Sequence, residues 1–248
     1  SGTNFSNADL LGAFFSDSIF GQLLVVGIVP SGLRPANFNK ARLAGANFGN
    51  TDMRLTTLIG ASLYETKFEN TKNLTWDKIE KVKEEDEKLW ERAKDIYLRL
   101  KNYFHQKAQY DDESKAYYRE KLMAKKQAFA EGKKWRGRVL ALYQALTGFG
   151  NKPLWTVGWA AAVIAFFWLF YWIMGAVTVH TAFQFDVAPH ICKGLQYLYF
   201  SVVTFATLGF GDIAPACALA QVLVIIEVIM GYVFLGLIIT IIARRFGR

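Results

Sequence analysis

The sequence predicts a mixed fold, with a repetitive β-rich half at the N-terminus, a helical linker, and an α-helical membrane half at the C-terminus. Three observations predict it: a five-residue apolar repeat that ends at Phe68, a helical apolar spacing after it, and two long apolar runs after Pro153. Nearly all the charged residues precede Pro153, although 52% of the 248 residues are hydrophobic. This uneven distribution, rather than length or composition, separates a polar half from a membrane half.

The N-terminal repeat places a large apolar residue at every fifth position. These residues are Phe5, Leu10, Phe15, Phe20, Phe38, Leu43, Phe48, Met53, Leu58, Leu63 and Phe68. Two residues before each of them lies a small residue, from Thr3 at the start to Thr66 at the end. A repeat of fixed period predicts a solenoid built by stacking.

The Ala-Asn-Phe triplets at residues 36–38 and 46–48 make this repeat resemble the pentapeptide-repeat family. The resemblance implies a cytoplasmic right-handed β-helix over residues 1–70, with the large and small residues turned inward and four repeats to a coil. The chain starts inside a repeat, so we expect the natural protein to extend upstream. The outward positions mix acidic and basic residues, which favours a scaffold or interaction surface and no nucleic-acid partner.

The repeat loses its phase between Phe20 and Phe38, where residues 21–35 form an insertion. Its apolar part, residues 21–30, is too short to cross a bilayer. An exposed apolar segment of this kind indicates a subunit or membrane contact. The alternative is a loop that covers the end of a coil.

A cytoplasmic helical hairpin is predicted over residues 71–131. Apolar residues recur at spacings of three and four from Ile79 to Phe104, and a second helix follows a turn near Asp111-Asp112. One copy of such a hairpin does not predict a helical repeat array.

Residues 132–152 are predicted to contain an amphipathic helix at the inner membrane face. Between Trp135 and Leu146 the apolar residues share one side, and basic residues lie close by. This helix either transmits cytoplasmic motion to the membrane half or only anchors the tilt of the first span.

Two apolar runs, residues 154–179 and 217–244, are long enough to cross the membrane as helices. Basic residues cluster just outside both runs: Lys133, Lys134, Arg136, Arg138 and Lys152 before the first, and Arg244, Arg245 and Arg248 at the end of the second or beyond it. The positive-inside rule then places both termini in the cytoplasm. We therefore expect an integral protein of the cell membrane.

Between the spans, residues 194–206 are apolar and aromatic but too few to cross the bilayer. They are expected to enter the membrane as a short pore helix and return. Non-helical backbone at membrane depth must be buried in protein or line a water-filled cavity. The glycine-rich loop at residues 207–212 is therefore predicted to line a pore.

Residues 204–212, Thr-Phe-Ala-Thr-Leu-Gly-Phe-Gly-Asp, closely resemble the selectivity filter of potassium channels. The resemblance implies that residues 153–248 form a two-span pore domain and that four copies assemble as a homotetramer in the bilayer. It also implies that potassium ions pass as permeant ligands, without a cofactor. Their hydration shell would be replaced by the Thr207 hydroxyl and by four backbone carbonyls, those of Thr207, Leu208, Gly209 and Phe210.

The residue types in this loop have physical reasons. Gly209 and Gly211 allow positive φ, so that successive carbonyls can face one axis. Thr204 and Asp212 are expected to support the filter. Phe210 replaces the usual Tyr and lacks its hydroxyl, so we expect potassium selectivity to survive with altered filter stability.

Two residues of the second span are gating candidates. Gly231 lies 20 residues after Gly211, the offset of the hinge glycine in two-span bacterial potassium channels; the alternative is close helix packing, for which Gly236 fits equally well. Glu227 is a carboxylate within a span, and such residues are costly enough to indicate function. It either faces a water-filled cavity and attracts cations or braces the pore helix.

Cys192 and Cys217 flank the pore loop on the outer side, where oxidising conditions permit a disulfide. Inward-rectifier potassium channels have a similar arrangement. The alternative is two unpaired small residues.

The sequence thus predicts a potassium-selective channel that is regulated or assembled through its N-terminal cytoplasmic domain, by a ligand or protein that the sequence does not identify. The alternatives are a non-selective cation channel and a membrane-anchored pentapeptide-repeat scaffold with a silent pore. We expect no enzymatic activity, because the three His and two Cys show neither metal-ligand spacing nor a nucleophile paired with a base.

Overall fold

The structure is a computed structural model that describes residues 3–13, 15, 36–175, 177–179 and 189–246. The chain divides into two compact units, residues 1–141 and 142–248. The predicted insertion at residues 21–35 lies outside the described residues.

The first unit begins with short parallel strands stacked side by side. These are β1 (Thr3–Asn4), β2 (Ala36–Asn37) and β3 (Thr56–Thr57), in the order β1-β2-β3. We call each layer of this stack a rung. Ala36 pairs with Thr56, and contacts between these two rungs join residues that are 20 positions apart in sequence, which is four pentapeptides. Thr3 instead pairs with Ala36, and contacts across the insertion join residues 33 apart. The offset between paired residues is therefore 13 residues larger across the insertion than between β2 and β3.

The large apolar residues of the repeat lie inside this stack. Those between residues 38 and 63 are at most 2% exposed: Phe38, Leu43, Phe48, Met53, Leu58 and Leu63. Aromatic rings stack from rung to rung, with Phe48 centred 4.9 Å from Phe15 and 5.8 Å from Phe68. The inward Thr66 and Thr71 donate their hydroxyl hydrogens to carbonyls of the previous rung at 2.8 Å. The predicted inward orientation is confirmed for the six large residues and for Thr66, whereas Thr71 was not predicted. The hydroxyls of Thr66 and Thr71 are paired as burial requires.

The corners of the stack have left-handed backbone at five-residue spacing, except at Leu55. The residues with positive φ are Asn7, Gly12, Lys40, Gly45, Asn50, Gly60, Glu65 and Asn70. Glycine has no Cβ to clash in this conformation, and Asn tolerates it better than most residues. This accounts for the frequency of Gly and Asn at the repeat corners.

After the last rung the chain becomes helical, with a 3-10 turn at Trp76–Lys78, α1 (Lys83–Asp86), α2 (Trp90–Gln106) and α3 (Tyr110–Ala130). The predicted first helix is therefore wrong at its start, because left-handed φ at Glu80 and Lys88 prevents a continuous helix from Ile79. The turn is also displaced: Ala108 has a φ of 55°, and Asp111 lies in the first turn of α3, where a negative charge is favourable.

The helices α2 and α3 pack on each other and α2 covers the last rung. Tyr103 donates its hydroxyl hydrogen to the carbonyl of Thr71 at 2.8 Å. The ammonium of Lys78 donates to three carbonyls at the end of the stack, those of Met53, Arg54 and Asn73. Burial lowers the pKa of Lys78. These backbone carbonyls at the end of the stack are thus hydrogen-bonded to a side chain rather than to another strand.

The second unit consists of three long helices and a small antiparallel sheet. Its elements are α5 (Pro153–Met174), β4 (Val177–Val179), α6 (Pro189–Phe205), β5 (Ile213–Pro215) and α7 (Ala218–Phe246), and α4 (Lys134–Thr147) crosses the boundary between the units. The helices α5, α6 and α7 pack against one another. In the part of the chain that the structure describes, two helical segments, Pro153–Met174 and Ala218–Ala243, are long and apolar enough to cross a membrane.

The predicted element boundaries need correction in three places. The first span ends at Met174 rather than 179, because Gly175 turns the chain with a φ of 59° and the β-branched strand β4 pairs with β5. The pore helix begins at Pro189 rather than 194, since proline suits the first turn of a helix, and it ends at 205. The helix of the second span begins at 218, and it continues to 246, beyond the apolar segment that ends at Ala243.

Candidate functional site

The candidate site is the loop that joins α6 to β5. The helix α6 ends in a motif in which Thr207 N–H bonds to the carbonyl of Thr204 and Leu208 N–H bonds to the carbonyl of Val203, both at 3.0 Å. This double closure requires left-handed backbone at Thr207, where φ is 57°. Glycine usually occupies that position, and a β-branched residue there is strained. The loop therefore starts at Thr207, where the backbone is strained and two hydrogen bonds close the end of α6.

Backbone handedness alternates along the loop. The φ angles of Thr207, Gly209 and Gly211 are 57°, 55° and 78°, whereas Leu208 and Phe210 do not have positive φ. Alternating handedness aligns successive peptide dipoles instead of cancelling them. The sequence indicated positive φ at the two glycines but not at Thr207, because a threonine carries no such signal.

The side chains in and next to the loop differ in exposure and in their contacts with α6. In the single chain, Leu208 and Phe210 are 59% and 66% exposed, while Thr204 below them is buried. Asp212, at the far end of the loop, is hydrogen-bonded to the hydroxyl of Tyr199. Tyr199 was not singled out from the sequence; the available signal was a phenol in an apolar helix, which usually has a hydrogen-bond partner.

Glu227 lies fully buried where α5, α6 and α7 meet. Its Oε2 accepts a hydrogen bond from the hydroxyl of Tyr171 at 2.9 Å, and its Oε1 lies 2.5 Å from the hydroxyl oxygen of Ser201. Of the two sequence interpretations, the geometry agrees with a brace on the pore helix. Tyr171 and Ser201 were not singled out from the sequence, since only the fold brings them to the carboxyl.

Gly231 lies one turn after Glu227, at a close approach between α7 and α6. A Cβ at this position would overlap the carbonyl oxygen of Phe205, the last residue of α6. A Cβ at Gly236 would meet nothing within 4 Å. Within the chain, close packing therefore requires a glycine at Gly231, while the fit of Gly236 to helix packing stays a prediction.

Of the two cysteines, the structure describes the side chain of Cys217. Cys217 has a free and exposed thiol. Cys192 belongs to α6, but its side chain lies outside the described residues. The disulfide between them stays a prediction.

The corner between α4 and α5 is held by side chains of the first span. The indole N–H of Trp155 donates to the carbonyl of Ala145 at 2.7 Å, and the hydroxyl of Thr156 donates to the carbonyl of Leu146 at 3.2 Å. On α4 an apolar face with exposed residues carries Trp135, Val139 and Leu142. This face suits the predicted position at a membrane surface.

The first unit contains a cleft of about 290 Å³ between the last rung and α2. Lys67 and Arg99 contribute its basic groups, and Phe68 and Tyr103 its rings. Among the described residues, no group of three or more His, Cys, Asp or Glu is placed to hold a metal ion.

Comparisons with known proteins match both units. Residues 158–248 match the ion channel family, and residues 1–22 and 36–72 match pentapeptide repeats in eight copies. A stretch of 78 residues is 32% identical to two-pore potassium channel 4 of Arabidopsis thaliana, and it covers 31% of this chain and 28% of that protein. No solved structure matches the chain.

Proposed function

We propose that this chain, which carries an ion channel domain after a set of pentapeptide repeats, forms a potassium-selective channel that conducts potassium passively through a homotetrameric pore. The observation that carries the proposal is the alternating left-handed backbone at Thr207, Gly209 and Gly211, in a loop between two span-length helices. Four such loops would surround one axis with their carbonyls, and these would replace the hydration shell of potassium.

The environment of the loop supports a pore rather than an isolated turn. Lipid cannot satisfy the polar groups of non-helical backbone, so the loop must lie in protein or beside water. Leu208 and Phe210 are exposed in the single chain, and neighbouring copies would cover them. The alternatives, a non-selective pore and a scaffold with a silent pore, are outcomes of the experiment below.

For the N-terminal unit we propose a right-handed β-helix that regulates or assembles the pore. The 20-residue register of the parallel rungs supports four pentapeptides to a coil. The cleft beside Lys67 and Arg99 is a candidate site for a cytoplasmic regulatory ligand. Basic residues flanking the spans support a cell-membrane protein with both termini in the cytoplasm.

Potassium and sodium flux through the purified full chain in liposomes tests the proposed function. We expect the reversal potential to follow the potassium gradient when sodium and potassium are asymmetric. A reversal potential that follows sodium equally would establish a non-selective pore. A complete lack of flux would favour the scaffold.

Two glycine variants connect that measurement to the loop. In Gly209→Ala the new Cβ meets a left-handed backbone, which costs about 1–2 kcal/mol, so we expect loss of selectivity or of flux. Gly194→Ala is the matched control, because Gly194 lies in α6 with no positive φ and with space for a Cβ. Equal selectivity and flux in the two variants would contradict the role of the loop.

A further inference from the structure

Three helices of the second unit meet at one carboxyl group. Glu227 from α7, Tyr171 from α5 and Ser201 from α6 are each fully buried. The hydroxyl of Ser201 contacts two acceptors, the carbonyl of Ile164 in α5 at 3.0 Å and Oε1 of Glu227 at 2.5 Å. The hydroxyl of Tyr171 contacts Oε2 of Glu227 at 2.9 Å. These four groups form one continuous chain of hydrogen bonds.

The number of available hydrogens determines which group donates in each of these hydrogen bonds. A serine hydroxyl has one hydrogen to donate, a backbone carbonyl has none, and an ionised carboxylate has none. If Ser201 donates to Ile164, its 2.5 Å contact with Glu227 needs a hydrogen from the carboxyl. If Glu227 were ionised, one of the two contacts of Ser201 would join two acceptors without a hydrogen between them. All contacts are satisfied only when Glu227 is a carboxylic acid.

The burial of Glu227 favours the same neutral form, whereas the two hydroxyls that it contacts are also able to bond to an ionised carboxylate. Burial of an ionised carboxylate is costly unless a cation accompanies it. In the described part of the chain, the groups that act on Glu227 are the hydroxyls of Ser201 and Tyr171. Tyr171 is the titratable side chain that faces it from α5, and α6 contributes the hydroxyl of Ser201.

The chain of hydrogen bonds also has a route to the loop. Ser201 lies in α6, whose last turn is bonded directly to the strained Thr207. One turn after Glu227, Gly231 approaches the carbonyl of Phe205 at the end of the same helix. Movement of α6 at Ser201 would therefore move the start of the loop.

We propose that Glu227 is a positioning residue that acts as a neutral carboxylic acid, donating to Ser201 and accepting from Tyr171, and so holds the pore helix for conduction. After removal of this proton to solvent, Ser201 donates its one hydrogen to the carboxylate, because charge-assisted hydrogen bonds are the stronger ones. Its bond to the carbonyl of Ile164 is lost, which releases α6 from α5. Conduction then declines at alkaline pH. This inference rests on the proposed function, because it assigns regulation to the same pore.

Infrared difference spectra of the full chain in liposomes, wild type minus Glu227→Gln, test the proton. We expect the carbonyl stretch of a carboxylic acid in the wild type at neutral pH and its loss in the variant. The stretch should disappear at alkaline pH together with the potassium flux, because the neutral fraction of each Glu227 falls by about tenfold for each pH unit well above its midpoint. A spectrum with only carboxylate bands from Glu227 at neutral pH would overturn the proposal.

Flux measurements on two variants separate positioning from simple structural loss. Glu227→Gln should retain potassium flux and lose the alkaline decline, because its amide donates to Ser201 and accepts from Tyr171 without ionising. Ser201→Ala should lower the flux but keep the carboxylic-acid stretch, which shows that the chain folded. An unchanged alkaline decline in Glu227→Gln would also overturn the proposal.

The same experiments distinguish failure of this inference from failure of the proposed function. If sodium passes as readily as potassium, selectivity is refuted, while the alkaline decline and the infrared stretch still test Glu227. If the wild type shows no flux, the stretch alone decides: its presence at neutral pH supports the neutral carboxyl and its absence overturns it.

Discussion

The two units of this protein place apolar and polar residues in opposite ways. In the first unit, Phe38 and Phe48 are fully buried in the repeat core. In the second, Leu154 is 86% exposed, and only 22% and 17% of the two span-length segments are buried. Conversely, the second unit buries Ser201 and Glu227 completely. The difference teaches that apolar burial from water holds the first unit, while close packing and paired polar groups hold the second in lipid.

The largest expected effect tests the apolar side of this comparison. Phe48→Ala removes a ring that stacks on two others, so we expect the first unit to lose about 3–5 kcal/mol of stability. The matched variant Ile229→Ala truncates an exposed residue of α7 and should change stability by about 0.5 kcal/mol or less. Hydrogen exchange of the full chain in detergent measures both. Similar losses for the two variants would break the comparison.

A smaller effect tests close packing in the second unit. Gly231→Ala forces a methyl group against the Phe205 carbonyl, and such overpacking costs about 1–3 kcal/mol. We expect a lower melting temperature in detergent and reduced potassium flux. Gly236→Ala, with space for its methyl group, is the control and should retain both. A Gly231→Ala protein with unchanged melting but altered opening would favour the hinge interpretation instead.

The smallest expected effect concerns a polar contact at the edge of the first core. Tyr103→Phe removes the hydrogen bond to the Thr71 carbonyl and should cost about 1 kcal/mol below pH 10. Burial raises the pKa of Tyr103 to about 12, above its usual 10. The unfolded chain therefore loses this proton first, and the stability that it contributes declines from pH 10 to about 12.

Denaturation of the full chain at pH 8 and pH 11 measures this contribution. The difference in unfolding free energy between wild type and Tyr103→Phe should be smaller at pH 11. A difference that grows with pH would show that the hydroxyl is not held in its neutral form, and would weaken the assignment of this contact to the buried edge of the core.

The sequence predicted the features that depend on periodicity and length. A spacing of five identified the inward residues from Phe38 to Leu63, and two apolar runs identified the span-length helices. The sequence did not predict local exceptions in the backbone. Lys88 and Ala108 have left-handed backbone although they are not glycines, so the observed helix boundaries differ from the predicted ones. Thr207 escaped for the same reason, since side-chain type does not reveal strain that the surrounding structure imposes.

The candidate loop shows the same division. Its residue types and its place between two spans could be read along the chain. The hydrogen bond between Asp212 and Tyr199 could not be predicted along the chain, and the pairing of β4 with β5 could not either. Each contact joins segments that are separated in sequence.

By itself, the sequence determined which positions lie in an apolar environment and where a glycine-rich loop interrupts the membrane half. Periodicity and run length are local properties: the first half of the chain repeats a five-residue pattern many times, and the second half contains two long apolar runs. Only the tertiary structure decided that Glu227 meets Ser201 and Tyr171, which are 26 and 56 residues away, and that Gly231 meets Phe205. Hydrogen bonds and steric contacts depend on distances of a few ångströms between helices, and these distances exist only after the helices have packed.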